Sequence, residues 1–250
     1  MNPIPPPRAP LSGESAGRAL SFQSTCWTQV RRAQSGSEEG RQALSDLCAV
    51  YYEPVVAFLR CRFRSEEEAR DLGHAFFAEL LGGGSLLGAD SQLGKFRSYL
   101  LGAVKHFASR QQEAAHRLKR GGGLNPEPWE EEILAAAGSV DRLSPESEFD
   151  RQWALTVLSR ALATLESECL QEGKAELFEK IKPHLAGESA QGDLDKLAPT
   201  ISMHPDALRK ALQRLRRRWR ENVKSEIAAT LDSGADVQEE MEALLAALRA

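Results

Sequence analysis

The sequence predicts an all-α protein: two helical domains joined by an acidic linker, the second a four-helix domain that carries a helix-turn-helix. Three observations predict it. No segment alternates apolar and polar residues with period two for long, and apolar residues recur instead at helical spacing. Gly- and Pro-rich breaks at GGGS 82–85, RGGG 120–123 and between 124 and 147 cut that pattern into segments. Finally, 42% apolar and 27% charged residues over 250 positions is the composition of a chain that buries a sizeable core without staples. Cys26, Cys48, Cys61 and Cys169 lack CxxC or Cys/His spacing, so they are expected as buried small apolar residues, with no metal and no cofactor.

Residues 1–21 are rich in Pro, Ser and Gly and are expected to form a disordered tail. A first domain then spans 22–120. A short helix over Ser24 to Ala33 buries Trp27 and Val30; a second, Glu38 to Arg62, carries Leu44, Leu47, Cys48, Tyr51, Val55, Phe58 and Leu59 on one side and should kink at Pro54. Ser65 and Glu68 make a capping box that opens a helix to about Leu81. Ala69, Leu72, Phe76 and Leu80 form its apolar stripe with Phe77 beside it, and Glu66, Glu67, Asp71 and Glu79 make the remaining surface acidic. Phe96 begins a long helix to Arg120 with Phe96, Tyr99, Leu100, Ala103, Val104 and Phe107 inside.

An acidic linker over 121–148, bounded by prolines, separates this from a second domain at 149–231. There Trp153, Val157, Leu158, Ala161, Leu162 and Leu165 share one helix face, and Leu177, Phe178 and Ile181 the next. Leu194, Leu197, Ala198 and Ile201 line a short helix, Ser202 to His204 break it, and Pro205 suits the first position of a new helix. Leu208, Ala211, Leu212, Leu215 and Trp219 form the buried face of that last helix. A final amphipathic segment at 232–250 sets Val237, Met241, Leu244, Leu245 and Leu248 against Glu239, Glu240 and Glu242. It is expected to pack on its own domain, with its acidic face a possible competitor for the basic helix before it.

Charge is partitioned. Lys95 to Arg120 holds seven Lys/Arg against Glu113, and Pro205 to Arg220 holds seven against Asp206, so each segment carries about +6. The net charge of −4 therefore leaves about −16 on the rest of the chain. Two basic segments on an acidic background point to two contacts with a polyanion. In a helix-turn-helix the first residues of the second helix enter the major groove and later ones grip phosphate. Arg209, Lys210, Gln213 and Arg214 are then the base-edge candidates, and Arg217 joins them as a DNA contact. No nucleophile arrangement, paired carboxylates or phosphate loop appears, so no enzyme is expected. The N-terminus lacks a signal peptide's basic and apolar regions, and no stretch approaches the roughly 18 apolar residues of a membrane span, so a cytoplasmic protein without membrane contact is expected.

The segments EEARDLGHAFFAELL, GKFRSYLLGAVKHFA, KRGGG, SPESEFDRQWAL and ALRKALQRLRRRWRENVKSEIAATL, in this order, resemble the bacterial extracytoplasmic-function sigma factors, and within them a planctomycete-type branch. The resemblance covers about 24–250. It implies a transcription initiation factor that binds core RNA polymerase, recognises a two-part promoter and assists melting. The acidic helix would dock on the clamp of the largest polymerase subunit through Glu67, Asp71, Phe76, Phe77 and Glu79. Arg97, Lys105, His106, Arg110 and Arg117 would meet the minus-ten element and the opened strand, and the second domain would read the minus-thirty-five element as duplex. A regulatory partner such as an anti-sigma protein is a further expectation. The chain departs from the family pattern at Gly73-His74, at Pro199, at Ser202 in place of the turn glycine, and at His204-Pro205 in place of Ser-Glu. Two other readings stay open: a stand-alone helix-turn-helix regulator, and a degenerate sigma-like interaction protein that docks on polymerase without reading promoters.

Overall fold

The computed structural model describes residues 37–63, 65–82, 95–120, 143–187, 191–231 and 236–249, and its described residues contain helices and no strand. The helix expected at Ser24 to Ala33 and most of the acidic linker lie outside them. No helix among the described residues is long and apolar enough to cross a membrane.

The first helix, α1 (Glu38–Arg60), opens where the Ser37 hydroxyl accepts a hydrogen bond from the Gly40 amide, and it runs through Pro54. Pro54 has no N–H to give the Val50 carbonyl, yet it is buried, so packing holds the turn that the ring weakens. The expected stripe of Tyr51, Val55, Phe58 and Leu59 is buried, but so are Val50, Val56 and Ala57. A helix apolar on most sides is an interior helix, and α1 packs on α2 (Glu66–Gly82), α3 (Phe96–Arg120) and α4 (Pro145–Gln171). The Ser65 hydroxyl accepts from the Glu68 amide at 3.0 Å and starts α2, as the capping box predicts. Gly73 has a packing reason: a Cβ there would lie 3.0 Å from the Val56 Cγ2, so glycine lets α1 and α2 approach. Phe76, Phe107, Tyr51 and Phe96 meet edge to face in the same core.

Capped by Ser144, α4 is 27 residues long, about 40 Å at 1.5 Å per residue, and that length decides the architecture. Its first half (Phe149, Trp153, Ala154, Val157, Ala161) completes the core of α1, α2 and α3; its last turns (Leu165, Cys169) belong to a second core. The boundary expected before Phe149 is thus no break in packing. The second core adds α5 (Ala175–Ile181), α6 (Gln191–Leu197) and the start of α7 (Pro205–Thr230). Like α4, α7 serves both cores: Leu208, Ala211, Leu212 and Leu215 in the second, and Val223 and Ile227 in the first.

The last helix, α8 (Val237–Ala247), is capped by Asp236 and packs on α4 and α7. Two expectations are corrected here. Leu245, expected inside, is 44% exposed, and Glu240, expected on the surface, is 1% exposed. The helix is rotated so that Leu244 and Ala247 face the core with Glu240. Of the cysteines, Cys169 is buried, Cys48 half-buried and Cys61 exposed, which corrects the expectation for Cys61.

Candidate nucleic-acid interface

The turn before α7 forms by unusual means. α6 tightens into a 3-10 turn (Ala198–Ile201), which Pro199 favours because it has no N–H to offer an α-helical bond. Ser202 then takes a left-handed φ of 53°, a region where a side chain costs energy, and its amide bonds back to the Pro199 carbonyl. His204 supplies the missing cap: its Nδ1 accepts from the Asp206 amide at 3.3 Å, and Pro205 occupies the first helical position. Arg209 locks the arrangement by pairing with Asp206 one turn back and with Asp195 of α6. Expected at a base edge, Arg209 is a staple between the two helices.

The other cations of α7 divide in the same way. Arg216 donates to the His184 and Gly187 carbonyls, satisfying the chain end after α5, and Arg218 pairs with Glu168 and Glu172 at the end of α4. Lys210, Gln213, Arg214 and Arg217 do none of this: all four are exposed and make no ion pair among the described residues. At 100° per residue they fall within an arc of about 100°, opposite Leu208, Leu212 and Leu215. The result is an uncompensated cationic stripe with one amide, fixed to a buried core. Beside it, a cavity of about 220 Å³ is lined by the apolar Phe178, Leu177, Met203 and Leu215 and by the cationic Lys174, Arg214, Arg217 and Arg218.

On α3 the expected DNA contacts are mostly engaged. Arg97, 15% exposed, pairs with Asp150 of α4 and with Glu240 of α8, and its guanidinium lies 4.6 Å over the Trp153 ring. Lys105 pairs with Glu146 at 2.7 Å, and its hydrogen bond holds the Glu146 carboxyl below the usual range. Arg110 pairs with Glu79, so this expected DNA contact and this expected polymerase contact hold each other. His106 and Arg117 are exposed. Charge alone was legible on this helix in the sequence; the structure adds a cavity of about 300 Å³ between α2 and α3, lined by Phe76, Tyr99, Phe107, His106 and Arg110. Burial pushes the Tyr99 phenol up, so its hydroxyl stays neutral there.

Of the expected polymerase contacts, Phe76 and Phe77 are 3% and 7% exposed and belong to the core, as the apolar stripe predicts for Phe76 and against the anchor reading of Phe77. Glu67 and Asp71 are exposed on α2 and flank a shallow groove with Ser65, Glu68, Leu72 and Ala75. Two residues of the site were missed from sequence, Lys95 and Glu240, which pair at 2.8 Å. A glutamate at a position sharing the face of Leu244 was the available signal.

No protein-family model, no curated protein and no solved structure matches the chain.

Proposed function

We propose that the protein is a non-catalytic transcription initiation factor of the extracytoplasmic-function sigma type, which reads duplex promoter DNA through α7 and docks on RNA polymerase through the acidic face of α2. The observation that carries the reading is the stripe Lys210, Gln213, Arg214 and Arg217, exposed and without an ion pair among the described residues while its neighbours Arg209, Arg216 and Arg218 are engaged in structure. A surface that leaves three cations uncompensated is built for an external polyanion. Its place at the start of a helix that follows a short helix and a tight turn supports reading the pair as a helix-turn-helix. Lys210, Gln213 and Arg214 face base edges and Arg217 holds phosphate.

The α2 to α3 cavity supports the second half of the reading. Single-strand capture needs backbone charge and a surface for a base, and Tyr99, His106 and Arg110 bring both to one opening. Glu67 and Asp71 remain as acids for a basic clamp, where they steer association more than they anchor it.

Selection of bound duplexes from a random pool tests the DNA half. The wild-type chain enriches one motif, Arg214→Ala loses about 1–3 kcal/mol at one base pair of it, and Arg217→Ala weakens all sequences alike and lowers the salt slope by about 1. A pool that emerges unenriched removes the duplex-reading role. One observation favours a duplex-only regulator instead: the pairing of Lys95, Arg97, Lys105 and Arg110 inside the molecule. That reading predicts the same enrichment with no affinity for polymerase.

A further inference from the structure

The carboxylates that occupy α3 come from three other helices, and one of those helices is short. Lys95 meets Glu239 at 3.0 Å and Glu240 at 2.8 Å; Arg97 meets Glu240 at 3.2 Å and Asp150. These contacts tie α8 to α3, across 143 residues of chain. α8 has 11 residues, too few to be stable alone, and it fully buries only Leu244 and Ala247 besides Glu240, with Val237, Met241 and Leu248 half-buried. Under Arg97 lies the ring of Trp153, whose Nε1 is buried with no hydrogen-bond partner among the described residues. A short helix held by a few apolar contacts and an ionic cluster belongs to the low-stability end of a fold.

We propose that α8 is an internal stand-in for a nucleic-acid backbone: Glu239 and Glu240 occupy the Lys95 and Arg97 site, and single-stranded DNA gains that site by displacing α8. The proposal rests on the nucleic-acid reading above and adds to it a masked site and its regulator. With α8 in place the cluster carries two cations against Glu239, Glu240 and Asp150; with α8 gone only Asp150 remains and the site turns net positive. The uncovered surface then offers the Lys95 ammonium and the Arg97 guanidinium, which lies over the Trp153 ring, and these are groups that bind phosphate. The sign of the coupling follows. Whatever binds Lys95 and Arg97 competes with α8, and α8 competes with it equally.

The test uses the full chain, Glu240→Gln, and Lys95→Gln/Arg97→Gln built on Glu240→Gln, with a fluorescent mixed-sequence 20-nucleotide single strand and a duplex as probes. Glu240→Gln keeps the apolar contacts of α8, which protects the test against a chain that fails to fold, and circular dichroism verifies each variant. Three results are expected. Saturating single strand speeds amide hydrogen exchange in 237–247 of the wild-type chain. Glu240→Gln tightens single-strand binding by about fivefold or more. Adding Lys95→Gln/Arg97→Gln abolishes that gain. Single-strand binding that leaves α8 exchange unchanged, or a Glu240→Gln variant with wild-type affinity, overturns the proposal while duplex binding through α7 stands. Absence of both single-strand and duplex binding in every variant overturns the nucleic-acid reading and this proposal with it.

Discussion

Lys210 and Arg209 are adjacent and both basic, yet one faces solvent unpaired and the other pairs with two aspartates. Composition and spacing located the basic helix, but they could not say which cations are spent inside the fold, because that depends on Asp195, Glu168 and two backbone carbonyls brought in from elsewhere. The prediction that follows separates the two roles. Arg209→Ala lowers stability in urea without changing which duplex is preferred, whereas Arg214→Ala changes preference at near-constant stability. Backbone conformation yields a second contrast. Ser202 is left-handed, so Ser202→Gly should stabilise by about 1 kcal/mol, and an unchanged urea midpoint would mean that the turn carries no strain. A third compares two helical glycines. Gly73→Ala puts a methyl against Val56, which is fully buried and stiff, and should cost about 1 kcal/mol net of the helix-propensity gain; Gly102→Ala meets nothing within 4 Å and should gain about 0.5–1 kcal/mol. Equal shifts of the same sign would contradict the packing account of Gly73. The glycine at 73 thus has a physical reason that sequence alone could not supply.

Helix positions were largely legible. The start of α2 at Ser65, the extent of α3 from Phe96 to Arg120 and the opening of α7 at Pro205 follow from capping, periodicity and proline placement. What the pattern hid was rotation and length. In α8 a one-residue difference in facing put Glu240 inside and Leu245 outside, since an apolar stripe of 11 residues leaves its axis loosely determined. The acidic face of α8 meets α3, not the basic part of α7 as the sequence suggested. This pairing makes α8 sensitive to acid. Burial alone would raise the Glu240 carboxyl, but the Lys95 hydrogen bond and the Arg97 charge together outweigh it and hold the group below its usual range. Lys95, Arg97, Asp150 and Glu239 are the charged groups around it. A carboxylate lowered by folding contributes its full stabilisation above its unfolded value of about 4.3 and loses it as pH falls through the depressed folded value. Amides in 237–247 should therefore lose protection on acidification below about pH 4 ahead of those in α1, and Glu240→Gln should remove that pH dependence. Equal acid sensitivity in the variant would assign the effect to other carboxylates.

At the scale of the molecule, two long helices link the two hydrophobic cores. α4 and α7 each reach from one core to the other, so the cores share beams and the acidic N-terminal turns of α4 lie along the basic side of α3. A net charge of −4 then has a structural meaning: Lys95, Arg97, Lys105 and Arg110 of the positive segment at 95–120 are paired with Glu79, Glu146, Asp150, Glu239 and Glu240, and the segment at 205–220 keeps an exposed stripe. The sequence revealed both segments but not their different fates, because ion pairs between residues 53 or 143 positions apart leave no local signal. The most direct measurement is a reconstitution of transcription: bacterial core polymerase, the full chain, genomic DNA fragments, and sequencing of transcript 5′ ends. The account predicts new, discrete start sites that share a two-part upstream motif and vanish with Arg214→Ala. Start sites identical with and without the protein would contradict it.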